Sequence, residues 1–185
     1  MNNLILQTIK KKNFFLYLFI IFIFDIKKPD SGLYLNQRHK SLSNLFNNLT
    51  KEGDLKIHID AIDRMSGRDF ELYVADIFSI LGYEAFLTPE TGDQGVDIIL
   101  KKNDESIAVQ TKRYSTSIGN SAVQEVIAGR TYYNCSRGIV ITNNFYTSSA
   151  HALSASDGRV ELINRDGLER LITMARKNLL TNISK

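Results

Sequence analysis

Asp97, Gln110 and Lys112 are the residues of this chain whose types and spacing could do chemistry together. They stand in GVDIILKKNDESIAVQTKRY, Gly95 to Tyr114, which reads as two apolar runs around a short polar turn. A two-residue turn at Asn103 and Asp104 sets Lys102 against Glu105, Ile98 against Val109, and Asp97 against Gln110. Directly opposed side chains share one face of a sheet, about 5 Å apart at Cβ. Lys112 follows Gln110 by two positions and shares that face, while Val109 and Thr111 point the other way. A carboxylate, an amide oxygen and an ammonium then converge at one end of the hairpin. Hard divalent cations take oxygen ligands. Asp97 and Gln110 offer two, and the backbone carbonyl of Thr111 a third. Lys112 beside such a cation can favour hydroxide in its water shell and neutralise charge developing on a phosphate. One carboxylate is little charge for a dication. Glu71, on a largely apolar helical flank with Val74, Ala75 and Phe78, is the candidate second. Plainer readings stay open at this point. Asp97 can be a strand-entry residue, Asp93 a turn residue, and Lys112 with Arg113 a solvated edge. Glu71 can be an exposed helical glutamate, and Gln124 the capping partner of Ser121.

These residues need elements to hold them. Ser66 followed by Asp69 resembles a capping box, and Phe70, Val74, Ile77 and Leu81 recur at helical spacing until Gly82. Strands are predicted over Tyr83–Leu87, Val96–Leu100 and Ile107–Tyr114, with the turn chemistry of PETGDQG between the first two. Ser121 with Gln124 opens a second helix that runs to Tyr133. GIVIT, Gly138 to Thr142, is a continuous apolar run of the kind covered on both faces. A helix over Thr147–Ser156, a strand over Val160–Ile163 and a helix over Arg165–Asn178 complete the set. The order implies an α/β fold, a mixed central sheet flanked by helices. The organised domain is expected over 57–178, with 179–185 a tail.

Composition narrows the class. The chain has 185 residues, 43% hydrophobic and 23% charged, enough for one domain with a core. The net charge of +3 is compatible with a polyanionic partner. The single cysteine excludes an internal disulfide, and no Cys/His spacing suggests zinc. Residues 1–56 are a different material: a dense apolar run, Phe14 to Phe24, between lysines, then a polar linker around the amphipathic piece Leu42 to Leu49. As a helix the run rises only about 17 Å against a hydrocarbon core of about 30 Å. Three readings stay open: a membrane-associating segment on a cytoplasm-facing protein, a segment that packs on a partner or the domain, or a leader ahead of a later start, Met65 being the next methionine.

The ordered set GDQGVD, VQTKRY and VQEVIAG, together with FELYVADIFSILGYEAF and GIVITNNFYTSSA, resembles the catalytic domain of Mrr-like restriction endonucleases, a branch of the PD-(D/E)xK nucleases. The resemblance covers about Met65 to Ile172. It implies a restriction-endonuclease-like core and Mg²⁺-dependent cleavage of double-stranded DNA, with Mn²⁺ a substitute ion. Asp97 matches the motif aspartate, Gln110 the glutamine that replaces the usual acidic residue, Lys112 the motif lysine and Glu71 the helical glutamate. Gln124 matches a supporting glutamine, and Arg113 and Tyr114 suit contact with the DNA backbone. Thr111 stands where the family often has a smaller residue; because it points away from the cleft, little effect is expected. The resemblance implies restriction of foreign DNA. A repair or resolvase-type nuclease on branched DNA, and a non-catalytic DNA-binding module, are the alternatives. A homodimer would let two sites cut two strands.

Overall fold

A computed structural model describes residues 55–89 and 92–183; the apolar segment Phe14–Phe24 and the linker after it lie outside the described residues. Among the described residues, no helix is long and apolar enough to cross a membrane. Ten elements follow in order: α1 (Leu55–Ile62), α2 (Gly67–Ile80), β1 (Glu84–Leu87), β2 (Ile98–Lys102), β3 (Glu105–Lys112), α3 (Asn120–Tyr132), β4 (Arg137–Thr142), α4 (Ser148–Asp157), β5 (Val160–Ile163) and α5 (Arg165–Ile183). The strands form one mixed sheet in the order β1-β2-β3-β4-β5. The first three are an antiparallel meander; β4 and β5 join in parallel.

Local chemistry explains most of these boundaries. The Ser66 hydroxyl accepts from the Asp69 N–H and donates to its carboxylate, which starts α2. Leu81 ends the helix, and Gly82 follows at φ +89°, a conformation that suits glycine. Thr147 caps α4, and Gly158 closes it in the left-handed region. The start of α3 differs from expectation. Its cap is Gly119, with no side-chain cap bond, so Ser121 and Gln124 lie inside the helix. Asn103 takes φ +53° in the tight turn between β2 and β3, and the register there is Lys102 opposite Glu105 and Ile98 opposite Val109, as the turn placement requires.

The sheet is covered on both faces. Ile98, Leu100, Ile107, Val109, Ile139 and Ile141 pack against α1, α2 and α5. Ala108 and Val140 face α3 and α4. β4 therefore contributes to both cores, which is why GIVIT has no polar alternation. α1 has no counterpart in the predicted elements. Its Ile59 and Ile62 are fully buried in the first core, so a helix ahead of Met65 is part of that core.

Candidate active site

β3 and β4 run in parallel and end together at Lys112 and Thr142. β2 enters beside them at Ile98, so Asp97 stands where β2 and β3 part. The Asp97 N–H donates to the Val109 carbonyl at 2.9 Å. Beyond that point the carboxylate replaces the ladder. Oδ2 accepts from the Thr111 N–H at 2.6 Å, from the Thr111 hydroxyl at 2.9 Å and from Gln110 Nε2 at 2.8 Å. Asp97 and Gln110 thus meet as the hairpin register implies. Thr111 does not behave as its alternation suggests. Its hydroxyl reaches the carboxylate, because a group sited where the strands diverge is accessible to consecutive residues.

The hydrogen bonds of this centre are one-sided. Gln110 is 4% exposed, and its amide nitrogen serves both Asp97 and the Thr111 carbonyl, the latter at 3.3 Å. Turning the amide over would press two oxygens together, so the network fixes its orientation. Gln110 Oε1 is then a buried acceptor with no hydrogen-bond donor among the described residues. Such atoms are uncommon in folded proteins and call for a reason. Burial, the dominant cause, raises the Asp97 carboxyl above its ordinary value of 3.8; the Thr111 bonds and Lys112 oppose this, and Asp93 adds to it. Asp93 itself is a turn residue: its carboxylate accepts from the Gly95 N–H at 3.1 Å.

Glu71 approaches from α2. Its carboxylate is 2.7 Å from Arg68 Nη1 on the same helix. Burial raises it above its ordinary 4.5; Arg68 offsets part of this, and the charges of Asp97 and Asp93 add to it. Glu71 and Asp97 are therefore within electrostatic reach of one another. Lys112 is held at both ends. Its carbonyl accepts from the Thr142 hydroxyl at 2.6 Å, and its Nζ lies 2.7 Å from Glu125 Oε2 on α3. Glu125 is absent from the expected set. Gln124, which is in that set, is exposed. The readable signal was the string Glu125 to Gly129: one helical turn apart, both lie on the side of α3 that meets the Gly92–Gly95 turn.

A second polar centre lies at the same end of the sheet, and the sequence reading did not contain it. Asp63, just after α1, takes two bonds from Arg165, at 2.8 and 3.0 Å, and one from Asn143 Nδ2 at 2.8 Å. Arg165 also donates to the Asn143 carbonyl, and Asn143 Oδ1 accepts from the Tyr114 N–H. Arg113, expected at the DNA backbone, donates to the Asp63 carbonyl at 3.3 Å and is half-buried. The Tyr114 ring is 52% exposed. These contacts join residues far apart in the chain, which is why no local pattern announced them.

Asp97, Gln110, the Thr111 carbonyl and Glu71 offer oxygen atoms, and Lys112 an ammonium. Among the described residues, no group of three or more His, Cys, Asp or Glu side chains forms a metal cluster. Any cation here would rely on amide and backbone oxygens beside the two carboxylates. That donor set is hard, the kind that oxygen-seeking divalent cations take.

The chain is 30% identical over 97 residues to the uncharacterized protein y4cE of Sinorhizobium fredii, covering 49% of this chain and 25% of that protein. It is 29% identical over 123 residues to the type IV methyl-directed restriction enzyme EcoKMrr of Escherichia coli, covering 62% of this chain and 40% of that enzyme. The chain therefore spans less than half the length of either relative. Among solved structures, it matches a protein of unknown function, AF1548, with a TM-score of 0.46 and 17% identity over 53% of this chain and 60% of that one. It also matches MspJI restriction endonuclease in complex with a 27-mer oligonucleotide, with a TM-score of 0.45 and 18% identity over 85% of this chain and 34% of that one. The restriction endonuclease family model Mrr_cat matches residues 62–172, from the end of α1 into α5, and the chain belongs to that family of Mrr-type restriction endonuclease domains.

Proposed function

We propose that this chain is a divalent-metal-dependent endodeoxyribonuclease that cleaves double-stranded DNA in restriction of foreign DNA. One observation carries the reading. Gln110 Oε1 is buried without a donor among the described residues, beside a carboxylate, Asp97, whose Oδ2 takes three hydrogen bonds. A cation is the group that would satisfy such an acceptor, since a buried unpaired oxygen otherwise costs about 1–3 kcal/mol.

Asp97 through Oδ1, Gln110 through Oε1, Glu71 and the Thr111 carbonyl would hold Mg²⁺, with Mn²⁺ able to substitute. The bound ion would polarise the phosphate and stabilise the leaving 3′-oxygen. Lys112 orients the attacking water and meets the charge growing on the phosphate. Thr111, through its N–H and hydroxyl, fixes Oδ2 of Asp97 and so leaves Oδ1 to the ion. Gln110 contributes an oxygen without charge, so the raised carboxyls of Asp97 and Glu71 carry the whole negative complement. Phosphate attraction would make DNA binding steeply salt-dependent. Two copies of the chain would cut the two strands.

A supercoiled plasmid incubated with the full chain and Mg²⁺, Mn²⁺ or EDTA tests this. Nicking and linearisation are expected with either metal and none with EDTA. Methylated, unmethylated and branched substrates in parallel separate restriction from repair. Equal cleavage by Asp97→Ala and the parent would remove the site assignment. DNA binding without metal-dependent cleavage under any condition would favour a binding module.

A further inference from the structure

The partner of Lys112 has a role of its own. A pair as open as Lys112–Glu125, with side chains 20% and 39% exposed, contributes little to stability. Its placement is nonetheless tightly built. A Cβ on Gly95 would lie 2.8 Å from the Cβ of Glu125 and 3.1 Å from its Cα and carbonyl oxygen. One helical turn on, a Cβ on Gly129 would lie 2.3 Å from a Val96 methyl and 2.6 Å from the Gln94 carbonyl. Each backbone thus contributes a glycine so that α3 can touch the segment leading into Asp97. The contact seats the root of the Glu125 side chain beside the site. Lys112 follows the alternation of Ala108 and Gln110 onto the face that α3 covers, and reaches Glu125 from there.

Lys112 also has a second carboxylate within electrostatic reach. Asp97 is buried, its hydrogen bonds among the described residues all go to Oδ2 and leave Oδ1 without one, and it feels the ammonium. Left to itself, a flexible amine would settle on that oxygen, which is the place a cation must take. We infer that Glu125 is a positioning residue: it draws the Lys112 ammonium toward α3 and so keeps Asp97 Oδ1 open for the cation. The inference rests on the nuclease reading above, and it adds a negative group whose task is to keep a positive one out of the metal's place.

The test is a Mn²⁺ titration of the full chain, followed by paramagnetic resonance of the free ion. Glu125→Ala is expected to weaken Mn²⁺ binding by about tenfold, as loss of a group that orients a ligand set does. Restoring the vacancy by Lys112→Met in the same chain should recover the parent's affinity. Were Glu125 acting by its own charge or in folding, its loss would weaken binding in the Lys112→Met background too, and the double variant would bind about tenfold more weakly than Lys112→Met alone. That result, or unchanged binding in Glu125→Ala, overturns the inference. Glu125→Gln carries the same test where the alanine variant unfolds. A separate readout follows the amine: in ¹⁵N-lysine-labelled chain without metal, a slowly exchanging Lys112 Nζ signal, assigned by its loss in Lys112→Arg, should change its chemical shift in Glu125→Ala as the ammonium passes to Asp97, and an unmoved signal would overturn the inference. A parent that binds no Mn²⁺ but keeps this signal would sink the nuclease reading alone. A parent without the signal would sink the positioning contact.

Discussion

Two carboxylates lie at one end of the sheet and are treated in opposite ways. Asp63 receives both arms of Arg165 and the amide of Asn143, and the Arg165 bond is the main reason its carboxyl falls below the ordinary 3.8. Asp97 is deeper, its three donors all crowd one oxygen, and burial lifts its carboxyl above the same value. The first centre is close to complete: Asp63, Asn143 and Arg165 have met one another, and only Arg113 Nε at its edge is buried without an acceptor among the described residues. The second is unfinished: among the described residues, Gln110 Oε1 beside it meets no donor. A finished polar network specifies a fold, whereas an unfinished one in a cleft points to a partner that arrives later.

The harshest way to break the comparison is to remove the finished centre. A chain cut to begin at Met65 loses Asp63 together with the buried Ile59 and Ile62. Each isoleucine alone is worth about 2–5 kcal/mol, so the cut domain should not fold, and far-ultraviolet circular dichroism will read it. Next comes the unfinished centre. Asp97→Ala and Lys112→Ala should each lower plasmid cleavage by about 10²–10⁴-fold, the scale of a lost acid–base or charge-stabilising group. Their circular dichroism should match the parent's.

Milder changes sharpen the contrast. Arg130 and Asp157 form a second finished pair, more enclosed than Asp63–Arg165. Asp157→Ala should cost about 3 kcal/mol, as one half of a buried pair does. Asp63→Ala, more open to solvent screening, should cost about 1 kcal/mol. Denaturant midpoints will rank the two. Their folded carboxyls lie below the ordinary value, so this stability is present above pH 3.8 and is lost as pH falls through the depressed values. Asp97 has the other sign. Its folded carboxyl is raised, so its contribution is favourable below the ordinary value and is lost as pH rises through the raised one. Asp97→Asn should therefore keep or raise the melting temperature at pH 7 while abolishing cleavage, with no advantage at pH 4. This is the smallest effect in stability and the clearest in sign, because active sites hold groups that the fold alone would discard.

The hairpin half of the site was legible because strand geometry is short-range. A two-residue turn sets the register, and the register brings Asp97 to Gln110 and Lys112 to the α3 face. The helix half was legible only in part. Glu71 stood out as a charge on an apolar flank, but which groups meet it depends on how α2 lies over the sheet. Glu125 was hidden beside Gln124, since one residue along a helix turns the side chain by about 100° and only packing shows which faces in. Asp63, Asn143 and Arg165 were not legible at all, because their contacts span from 22 to 102 residues. Thr111 was misjudged because alternation fails where strands separate. α1 was missed because it is a short helix at the edge of a polar linker.

The central claim is that Asp97 and Gln110 share a divalent cation. A crystal of the full chain grown with Mn²⁺, measured for anomalous scattering, tests it most directly. The account predicts one strong peak about 2.1–2.3 Å from both Asp97 Oδ1 and Gln110 Oε1, with Glu71 turned toward it. A peak elsewhere, or Gln110 Oε1 satisfied by a protein donor with no ion near it, would contradict it.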